Sequence, residues 1–383
     1  MSLSPPKVLI SDRLDPLAVA IFEKKNVEVE FKTGLSPEEL KSIISQYDGL
    51  AVRSETKVGA DIIAAGTRLK VIGRAGIGVD NIDVPAATQA GIVVMNTPYG
   101  NSITTAEHAI AMMFALAREI PRANASTHAG KWDKKSFMGV ELYKKTLGVI
   151  GCGNIGAIVA NRAVGLQMHV LAYDPFLTQA RSVEIGVEKV DLEELFSRAD
   201  FITIHVPKNE KTSGLINKNT IAQMKDGVRI INCARGGIVV EEDLKSALDS
   251  GKVAGAALDV FDVEPAKENI LFGHPNVVCT PHLGAATSEA QVNVAIQVAE
   301  QMADYLLHGA VSNALNMPSI SAEDAPRLKP YMKLAEQLGS FAGQIADGAY
   351  ASVSIEYEGT VAELNTKPLT ALILANLLQS QLE

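Results

Sequence analysis

Cysteine is scarce in this sequence of 383 residues, which contains only Cys152, Cys233 and Cys279. An odd number of widely spaced cysteines in a long chain argues against a disulfide framework, so we expect all three to be reduced. Each lies in or beside an apolar run, which favours small buried residues near the ends of strands. A nucleophilic Cys233 that acts with His282 is the alternative.

Basic runs are also missing, since no stretch has more than two consecutive Lys or Arg, and the formal net charge is −9. This composition argues against a nucleic-acid partner and against an electrostatic membrane anchor. The most apolar helical stretch, residues 106–120, contains Glu107, His108 and Arg118, and the N-terminal residues lack the pattern of a secretory signal. We therefore expect a cytoplasmic protein. An anionic ligand would have to be bound by individual arginines.

What the sequence does contain is two long series in which short β-branched strands alternate with helices. The first runs from KVLIS at residue 7 to IVVMN at residue 96, and the second runs from TLGVI at residue 146 to NVVCTPH at residue 282 and includes six strands. Both series indicate doubly wound parallel sheets of the α/β class, in a chain long enough for two or more domains. A predicted helix over residues 103–120 and a polar arm at residues 123–137 connect them.

The C-terminal part is less regular. The pattern predicts a helix over residues 288–309, and three prolines in residues 317–330 indicate a linker. A helix over residues 331–345, a strand over residues 351–359 and a helix over residues 367–381 complete the predicted elements. These last elements are a short α+β fragment, too small to close a hydrophobic core without other parts of the chain.

The sequence Gly151-Cys152-Gly153-Asn154-Ile155-Gly156 follows a predicted strand and opens a helix. A GxGxxG turn in this context is typical of dinucleotide binding, because the glycines let the backbone and the helix N-terminus approach a pyrophosphate. Asp174 closes the next strand, where a carboxylate accepts ribose hydroxyls and repels a 2′-phosphate. The pattern favours NAD over NADP, although Arg181 lies nearby; a purely structural βαβ turn is the alternative.

Three side chains follow the carboxyl ends of strands in this second series: Arg235, Glu264 and His282. Ligands of open α/β sheets bind at that edge, so we expect these side chains to meet there. Together they supply a base that titrates near neutral pH, an acid that orients it, and a fork for a carboxylate, as hydride transfer at a C–OH centre requires. Taken singly, Arg235 could pair with Glu241 or Glu242, Glu264 could cap a turn, and His282 could be a loop residue.

Basic residues also follow strands of the first series. Arg53 ends the strand GLAVR, and Arg74 leads into a glycine turn, Ala75-Gly76-Ile77-Gly78, whose amides could bind an anion. Two arginines on an acidic protein suggest a substrate with more than one negative charge, and we expect them to face the same cleft as the first set. Ion pairs with Glu55 and Asp80 are the alternative. Three lysines lie in the polar arm: Lys131, Lys134 and Lys135.

Several motifs, in order, resemble those of the D-2-hydroxyacid dehydrogenases: GVIGCGNIG with Asp174, INCARGGIVVEEDL, GAALDVFDVEP and VVCTPHLGAAT. The stretches VRSETKV, VIGRAGIGVDNID and GKWDKKSFMG are similar to those members that act on 3-phosphoglycerate. The resemblance implies a flavodoxin-like substrate domain of residues 1–98 with 288–317, and a Rossmann NAD domain of residues 99–287. It also implies that residues 318–383 are part of an intervening domain, and that serine feedback is not expected.

The resemblance assigns roles residue by residue. It implies that His282 is the general acid/base, that Glu264 holds and tunes it, and that Arg235 binds the substrate carboxylate. The implied NAD-binding residues are Gly151, Gly153, Asn154, Ile155, Gly156, Asp174, His205, Pro207, Cys233, Ala234, Asp259 and Gly284. The implied substrate-binding residues are Arg53, Ser54, Arg74, Gly76, Ile77, Asn101 and Lys134, besides Arg235 and His282. Lys134 is expected to reach a neighbouring subunit of a homodimer or homotetramer, and no metal is expected.

The activity implied is NAD-dependent oxidation of D-3-phosphoglycerate to 3-phosphohydroxypyruvate, the first step of L-serine biosynthesis. Three alternatives stay open from the sequence. The chain could reduce an unphosphorylated 2-oxo acid such as hydroxypyruvate or glyoxylate, which Arg53 and Arg74 disfavour. It could be a transcriptional corepressor that senses NAD, or an inactive fragment.

Overall fold

The computed structural model describes residues 4–321, 323–345 and 350–382. Contacts between backbone segments divide this part of the chain into two compact units, one within Met1–Gly100 and Gln291–Glu383 and the other over Asn101–Ala290. Among the described residues, no helix is both long enough and apolar enough to cross a bilayer.

Unit 1 contains a parallel sheet of five strands in the order β2-β1-β3-β4-β5. The strands are β1 (Lys7–Ile10), β2 (Glu28–Phe31), β3 (Gly49–Val52), β4 (Val71–Arg74) and β5 (Val93–Met95). This is the flavodoxin-like order, so the doubly wound α/β fold predicted for the first series is confirmed. Ligands of such sheets bind beyond the carboxyl ends of the strands.

Helices cover both faces of this sheet. They are α1 (Leu17–Lys24), α2 (Pro37–Ile43), α3 (Ala60–Ala65) and α4 (Val84–Gln89), and a later helix, α12 (Ser288–His308), returns to the same unit. A capping box starts α2, because the Ser36 hydroxyl accepts from the Glu39 amide while the Glu39 carboxylate accepts from the Ser36 amide. Alternate residues of β1 enter two apolar cores: Leu9 lies in one core, and Val8 and Ile10 lie in the other.

Unit 2 contains a parallel sheet of seven strands in the order β12-β11-β10-β9-β6-β7-β8. The strands are β6 (Thr146–Ile150), β7 (His169–Tyr173), β8 (Glu188–Lys189), β9 (Phe201–Ile204), β10 (Val228–Asn232), β11 (Val253–Leu258) and β12 (Val277–Cys279). The predicted Rossmann fold is confirmed. The six predicted strands do not include β8, because its two residues carry no alternation of apolar and polar side chains.

The helices of unit 2 are α5 (Ser102–Ala117), α6 (Ile120–His128), α7 (Asn154–Gly165), α8 (Gln179–Ile185), α9 (Leu192–Arg198), α10 (Lys218–Gln223) and α11 (Glu241–Asp249). The helix predicted over residues 103–120 therefore ends three residues early. Glu119 has a φ of 52°, a left-handed conformation that breaks the helix. The polar arm is partly helical, with α6 and a short turn at Lys134–Ser136.

The C-terminal part consists of α13 (Ala325–Ile345), a 3₁₀ turn at Gly359–Glu363 and α14 (Lys367–Leu382). The predicted linker was too long, because α13 begins at Ala325 and includes Pro330. The strand predicted over residues 351–359 was wrong, since these residues pair with no strand in the part of the chain that the structure describes. Leu328 and Leu369 pack in the same core as β1, so the two helices add to unit 1.

Candidate active site

The glycine turn between β6 and α7 has the shape that a pyrophosphate requires. Gly151 has a φ of 91°, and a Cβ at that position would lie 2.6 Å from the backbone oxygen of His205. A Cβ on Gly156 would lie 1.9 Å from the backbone oxygen of Gly151, so both positions require glycine. A Cβ on Gly153, in contrast, would meet no atom within 4 Å, and α7 begins there without a side-chain cap. The amides at this helix N-terminus are therefore available to an anion.

Asp174 lies beside that turn. Its Oδ2 accepts from the Cys152 amide at 2.8 Å, and its Oδ1 accepts from the Phe176 amide at 2.7 Å. The strand end and the glycine turn are thus held together by the carboxylate that is predicted to bind a ribose. Asn154 is exposed, and Ile155 packs against the core below. These residues fit a dinucleotide whose ribose carries free hydroxyls.

Arg235 lies in a turn that the side chain of Asn232 stabilises. The Asn232 side chain donates to the Arg235 carbonyl at 2.9 Å and accepts from the Ala234 amide at 3.0 Å. Gly236 follows, where a Cβ would lie 1.8 Å from the Phe261 carbonyl, so the turn packs directly on the segment that leads to Glu264. The close packing of Gly236 on Phe261 thus places Arg235 and the segment that leads to Glu264 at the same carboxyl edge of the sheet.

Glu264 and His282 form the central contact of the site, with 2.6 Å between Oε2 and Nδ1. Oε1 of Glu264 accepts from the Phe261 amide at 3.0 Å, so the acid caps its turn and also orients the histidine. Because an ionised carboxylate can only accept, Nδ1 carries the proton and Nε2 is the free base of the neutral ring. Nε2 bonds to no residue that the structure describes.

The Glu264 contact changes the pKa values of both groups. The hydrogen bond to Glu264 raises the pKa of His282 above its ordinary value, although burial and the nearby Arg235 charge act in the opposite direction. Burial raises the pKa of Glu264, and the bonds from His282 and the Phe261 amide outweigh it, so the net pKa is lowered. At neutral pH the pair therefore consists of a carboxylate and an imidazole that is more easily protonated than a free one.

Asp259 holds the loop that carries His282. Its Oδ1 accepts from the Leu283 amide at 2.7 Å, its Oδ2 accepts from the Gly284 amide at 2.8 Å, and its backbone oxygen accepts from the His282 amide at 2.9 Å. His282 itself has a φ of 55°, which is uncommon for a residue other than glycine. Surrounding bonds must therefore maintain this backbone conformation.

The three cysteines are free thiols. Cys233 is buried, and this burial, with the Asp259 charge nearby, raises the pKa of its thiol. Burial also raises the pKa values of Cys152 and Cys279 to about 11. Protonated thiols are poor nucleophiles, which disfavours the alternative that Cys233 attacks a substrate. The expectation that all three cysteines are buried was wrong, because Cys279 is exposed and Cys152 is only half-buried.

Cys233 also belongs to a compact polar group. Its Sγ, a ring nitrogen of His108 and a carboxylate oxygen of Asp259 lie within 4.8 Å of one another, a spacing that a metal ion could use. The Asp259 carboxylate, however, already accepts from Leu283, Gly284 and the Thr280 hydroxyl. These hydrogen bonds satisfy the buried Asp259 carboxylate, so its position requires no bound metal ion.

Other predicted NAD-binding residues also lie at the edge of the sheet where the carboxyl ends of its strands meet. His205 and Pro207 follow β9, where Nε2 of His205 lies 2.9 Å from the Thr203 hydroxyl and desolvation lowers the pKa of the ring. Ala234 lies in the Arg235 turn. Their contacts with NAD remain predictions.

In unit 1, the predicted anion-binding residues lie at the carboxyl ends of β3 and β4. The Arg53 amide donates to Asp12 Oδ2 at 2.6 Å, and its Nη1 donates to the Arg13 carbonyl at 3.3 Å. The Arg74 guanidinium lies over Gly76, since a Cβ on this glycine would lie 1.6 Å from Nη1. Ser54 is exposed and Ile77 is half-buried. Their contacts with a substrate also remain predictions.

Two further predicted residues belong to unit 2. Asn101 precedes α5 and is buried, and its Oδ1 bonds to no residue within the described ranges. Lys134 is exposed in the arm, beside Trp132, which is 86% exposed. Both roles depend on a ligand or a second subunit and stay predictions.

Some residues that shape the site were not among the predicted site residues, because they have no obvious chemical role. Asn232 was part of the quoted stretch INCARGGIVVEEDL, and an Asn at the end of a strand is a signal for a side chain that bonds to its own turn. Thr280 and His108 both contact Asp259. No spacing in the sequence predicts that His108 on α5 lies beside Asp259.

A glycine turn for a dinucleotide, a carboxylate for its ribose and a histidine held by an acid define a nicotinamide-dependent dehydrogenase. Comparisons with known proteins agree. Residues 110–284 match the model of the D-isomer specific 2-hydroxyacid dehydrogenase NAD binding domain, and residues 327–383 match that of the D-3-phosphoglycerate dehydrogenase intervening domain.

Similar proteins include the D-3-phosphoglycerate dehydrogenase of Synechocystis, 51% identical over 382 residues, which are 100% of this chain and 69% of that relative. The human D-3-phosphoglycerate dehydrogenase is 45% identical over 97% of this chain and 70% of its own length. The crystal structure of D-lactate dehydrogenase from Aquifex aeolicus, complexed with NAD and lactic acid, has a TM-score of 0.72 and 26% identity over 82% of this chain and 100% of that one. The chain belongs to the D-3-phosphoglycerate dehydrogenase family of D-isomer specific 2-hydroxyacid dehydrogenases. The predicted enzyme class and the NAD cofactor are confirmed.

The Glu264–His282 contact predicts a pH effect. The predicted role of His282 as general acid requires a protonated ring for ketone reduction, so we expect the rate to fall as pH rises through the pKa of His282, which Glu264 raises. Replacement of Glu264 by Gln removes the negative charge, and we expect the alkaline limb of kcat/KM for reduction to move to lower pH. A pH series of NADH oxidation measures this shift. An alkaline limb at the wild-type position would mean that Glu264 does not tune the histidine.

Proposed function

We propose that this enzyme oxidises D-3-phosphoglycerate to 3-phosphohydroxypyruvate with NAD and thereby begins L-serine synthesis. The observation that carries the proposal is the 2.6 Å contact between Glu264 and His282, with Arg235 close enough to lower the pKa of that histidine. Arg53 and Arg74, at the strand ends of unit 1, supply the charge for a phosphorylated substrate.

The side chains divide the reaction between them. Nε2 of His282 removes the proton of the substrate hydroxyl, and Glu264 stabilises the imidazolium that results. Arg235 binds the substrate carboxylate and orients C2. When bound, NAD supplies the nicotinamide ring that accepts the C2 hydride. In the reverse reaction His282 returns the proton to the ketone oxygen.

The choice of substrate depends on the phosphate. Burial lowers the pKa of Arg53, with the charges of Asp12 and Glu55 acting against this effect, yet an arginine stays cationic. A half-buried guanidinium is partly removed from water, so it attracts an anionic group more strongly than an exposed one would, although Asp12 and Glu55 offset part of its charge. Arg74 lies over Gly76, whose neighbouring amides add donors for an oxyanion.

The deciding experiment compares NADH oxidation by the purified chain with 3-phosphohydroxypyruvate and with hydroxypyruvate under matched conditions. We expect a large preference for the phosphorylated acid. Equal rates would instead identify a general 2-oxo acid reductase. Binding of NADH without turnover of either acid would favour the corepressor, and failure to bind NADH or to melt cooperatively would indicate an inactive fragment.

A substitution of Arg53 separates the phosphate from the rest of the substrate. We expect Arg53→Gln to raise KM for 3-phosphohydroxypyruvate strongly, because hydrogen bonds to charged groups contribute about 1.5–3 kcal/mol. KM for hydroxypyruvate should change little, since that acid has no phosphate. Steady-state kinetics with both acids measures the difference. Equal losses on the two substrates would place the phosphate elsewhere.

We also propose that the enzyme acts as a homo-oligomer in which Lys134 reaches the phosphate of a neighbouring copy. The exposed arm supports this, because Trp132 within it and Met138 directly after it are 86% and 81% exposed, which is unusual for such large apolar side chains.

Complementation tests the shared site. An inactive His282→Asn chain and a weakened Lys134→Ala chain should regain activity when mixed under conditions that exchange subunits, because one site of the mixed oligomer has both native residues. Mixing with Lys131→Ala in place of Lys134→Ala is the control. Activity that only averages the two parents would exclude a shared site.

A further inference from the structure

His108 on α5 is a half-buried polar residue to which the proposed reaction assigns no role. Its Nε2 lies 3.2 Å from Asp259 Oδ1 and 3.2 Å from the Thr280 hydroxyl, and its side chain is 19% exposed. The Thr280 hydroxyl lies 2.6 Å from the same Asp259 oxygen. These three side chains form a polar network beneath the loop that carries His282.

The donors and acceptors of this network determine where its protons lie. The single Thr280 hydroxyl proton is used on Asp259, so the Thr280 oxygen can only accept from His108. An ionised Asp259 can also only accept. Nε2 of His108 must therefore carry a proton, whichever charge state the ring has.

Asp259 depends on these donors because it is completely buried. Burial raises the pKa of Asp259, and the hydrogen bonds from His108, Thr280 and the Leu283 amide outweigh it, so the carboxyl stays ionised at neutral pH. A buried carboxylate that loses a donor takes up a proton or turns toward other partners. Either change disturbs the Leu283 and Gly284 amides that it holds.

We propose that His108 is a positioning residue for catalysis: through Asp259 it holds the loop that presents His282 to Glu264. The proposal rests on the proposed role of His282 as the acid/base. The left-handed backbone of His282 and its amide bond to the Asp259 carbonyl make the ring position sensitive to this acid. His108 itself touches neither substrate nor cofactor in this role.

The test compares His108→Leu, which removes the donor, with His108→Gln, which keeps an N–H donor near the same place. We expect His108→Leu to lower kcat for ketone reduction by up to about 10²-fold, as small misplacements of catalytic groups do. KM for the 2-oxo acid should stay within about twofold, since Arg235, which is proposed to bind its carboxylate, is unchanged. His108→Gln should recover most of kcat. Rates are divided by the fraction of sites that bind NADH, so that a smaller amount of folded enzyme is not mistaken for a lower kcat.

A pH profile provides the second readout. The charged groups that act on His282 are Glu264, Asp259 and Arg235. If the loop shifts, the contact with Glu264 weakens, and the alkaline limb of reduction should move to lower pH in His108→Leu but not in His108→Gln. His274→Leu is the matched control, because His274 is similarly buried and lies 3.5 Å from Asp249 at a different place in the unit.

Wild-type kcat and an unshifted limb in His108→Leu would overturn the proposal, as would equal losses in the Leu and Gln variants. If His108→Leu does not fold, Thr280→Val compared with Thr280→Ser tests the same network. The limb should shift only in the Val variant, and an unshifted limb there also overturns the proposal. If the wild-type enzyme prefers an unphosphorylated 2-oxo acid, the substrate assignment fails while the same variants, assayed on that acid, still test His108.

Discussion

Replacement of His282 by Asn is expected to lower kcat/KM by about 10²–10⁴-fold, the range that a positioned general acid or base contributes. Asn cannot exchange a proton near neutral pH, yet it tolerates the left-handed backbone that His282 adopts with a φ of 55°. The loop should therefore keep its conformation, and the loss should lie in kcat. Stopped-flow or steady-state NADH oxidation measures the rate, and fluorescence titration should show NADH affinity within a few-fold of the wild type.

A His169→Asn variant is the control for loss of a histidine, because His169 is exposed at the start of β7 in the same unit. It should retain wild-type kinetics. If His282→Asn kept more than about a tenth of the wild-type kcat/KM, another group would have to be the acid/base. Loss of NADH binding together with activity would instead indicate that the strand edge had collapsed.

Replacement of Arg235 by Ala is expected to lower kcat/KM by about 10²–10³-fold, comparable to removal of one preorganised donor from an active site. The guanidinium is proposed to hold the carboxylate with a fork of two parallel bonds, so Arg235→Lys should also lose activity, though less. Because Asn232 bonds to the backbone of this turn, the turn should survive either change. Steady-state kinetics with the preferred 2-oxo acid measures both variants.

Lys135→Ala is the matched control, since it removes a positive charge from an exposed arm residue. We expect it to change kcat/KM by less than about twofold. Similar small losses in Arg235→Ala and Lys135→Ala would remove Arg235 from the site. An equal loss in Arg235→Ala and Arg235→Lys would mean that the planar fork matters more than the charge.

Local patterns predicted those parts of the site in which a sequence motif lies directly at the end of a strand. The glycine turn and Asp174 needed only the order of strand, turn, helix and strand, because parallel strands place their carboxyl ends at one edge. The same rule brought Glu264 and His282 together, and the 2.6 Å contact is the result. The prediction of a strand over residues 351–359 was wrong, because tertiary context overrides propensity there: the segment has the residue types of a strand but pairs with no described strand.

Local patterns also did not predict where two of the helices, α5 and α13, end or begin. Glu119 stops α5 through a left-handed backbone that its residue type does not favour, and Pro330 lies inside α13 although prolines usually indicate a break. Neighbours in the tertiary structure decide such positions, because packing of an apolar face outweighs the small propensity differences of single residues.

The sequence by itself determined the fold class, the cofactor and the contact between Glu264 and His282, since each follows from residues that are close along the chain or at the same edge of one sheet. Only the tertiary structure decided how the pair is held. Asp259, Thr280 and His108 come from a strand end, a loop and a helix up to 172 residues apart, and they bond to one another in the interior. Their proposed roles depend on the burial of the Asp259 carboxylate. Burial results from packing of the whole chain, so the spacing of residues along the sequence does not predict it.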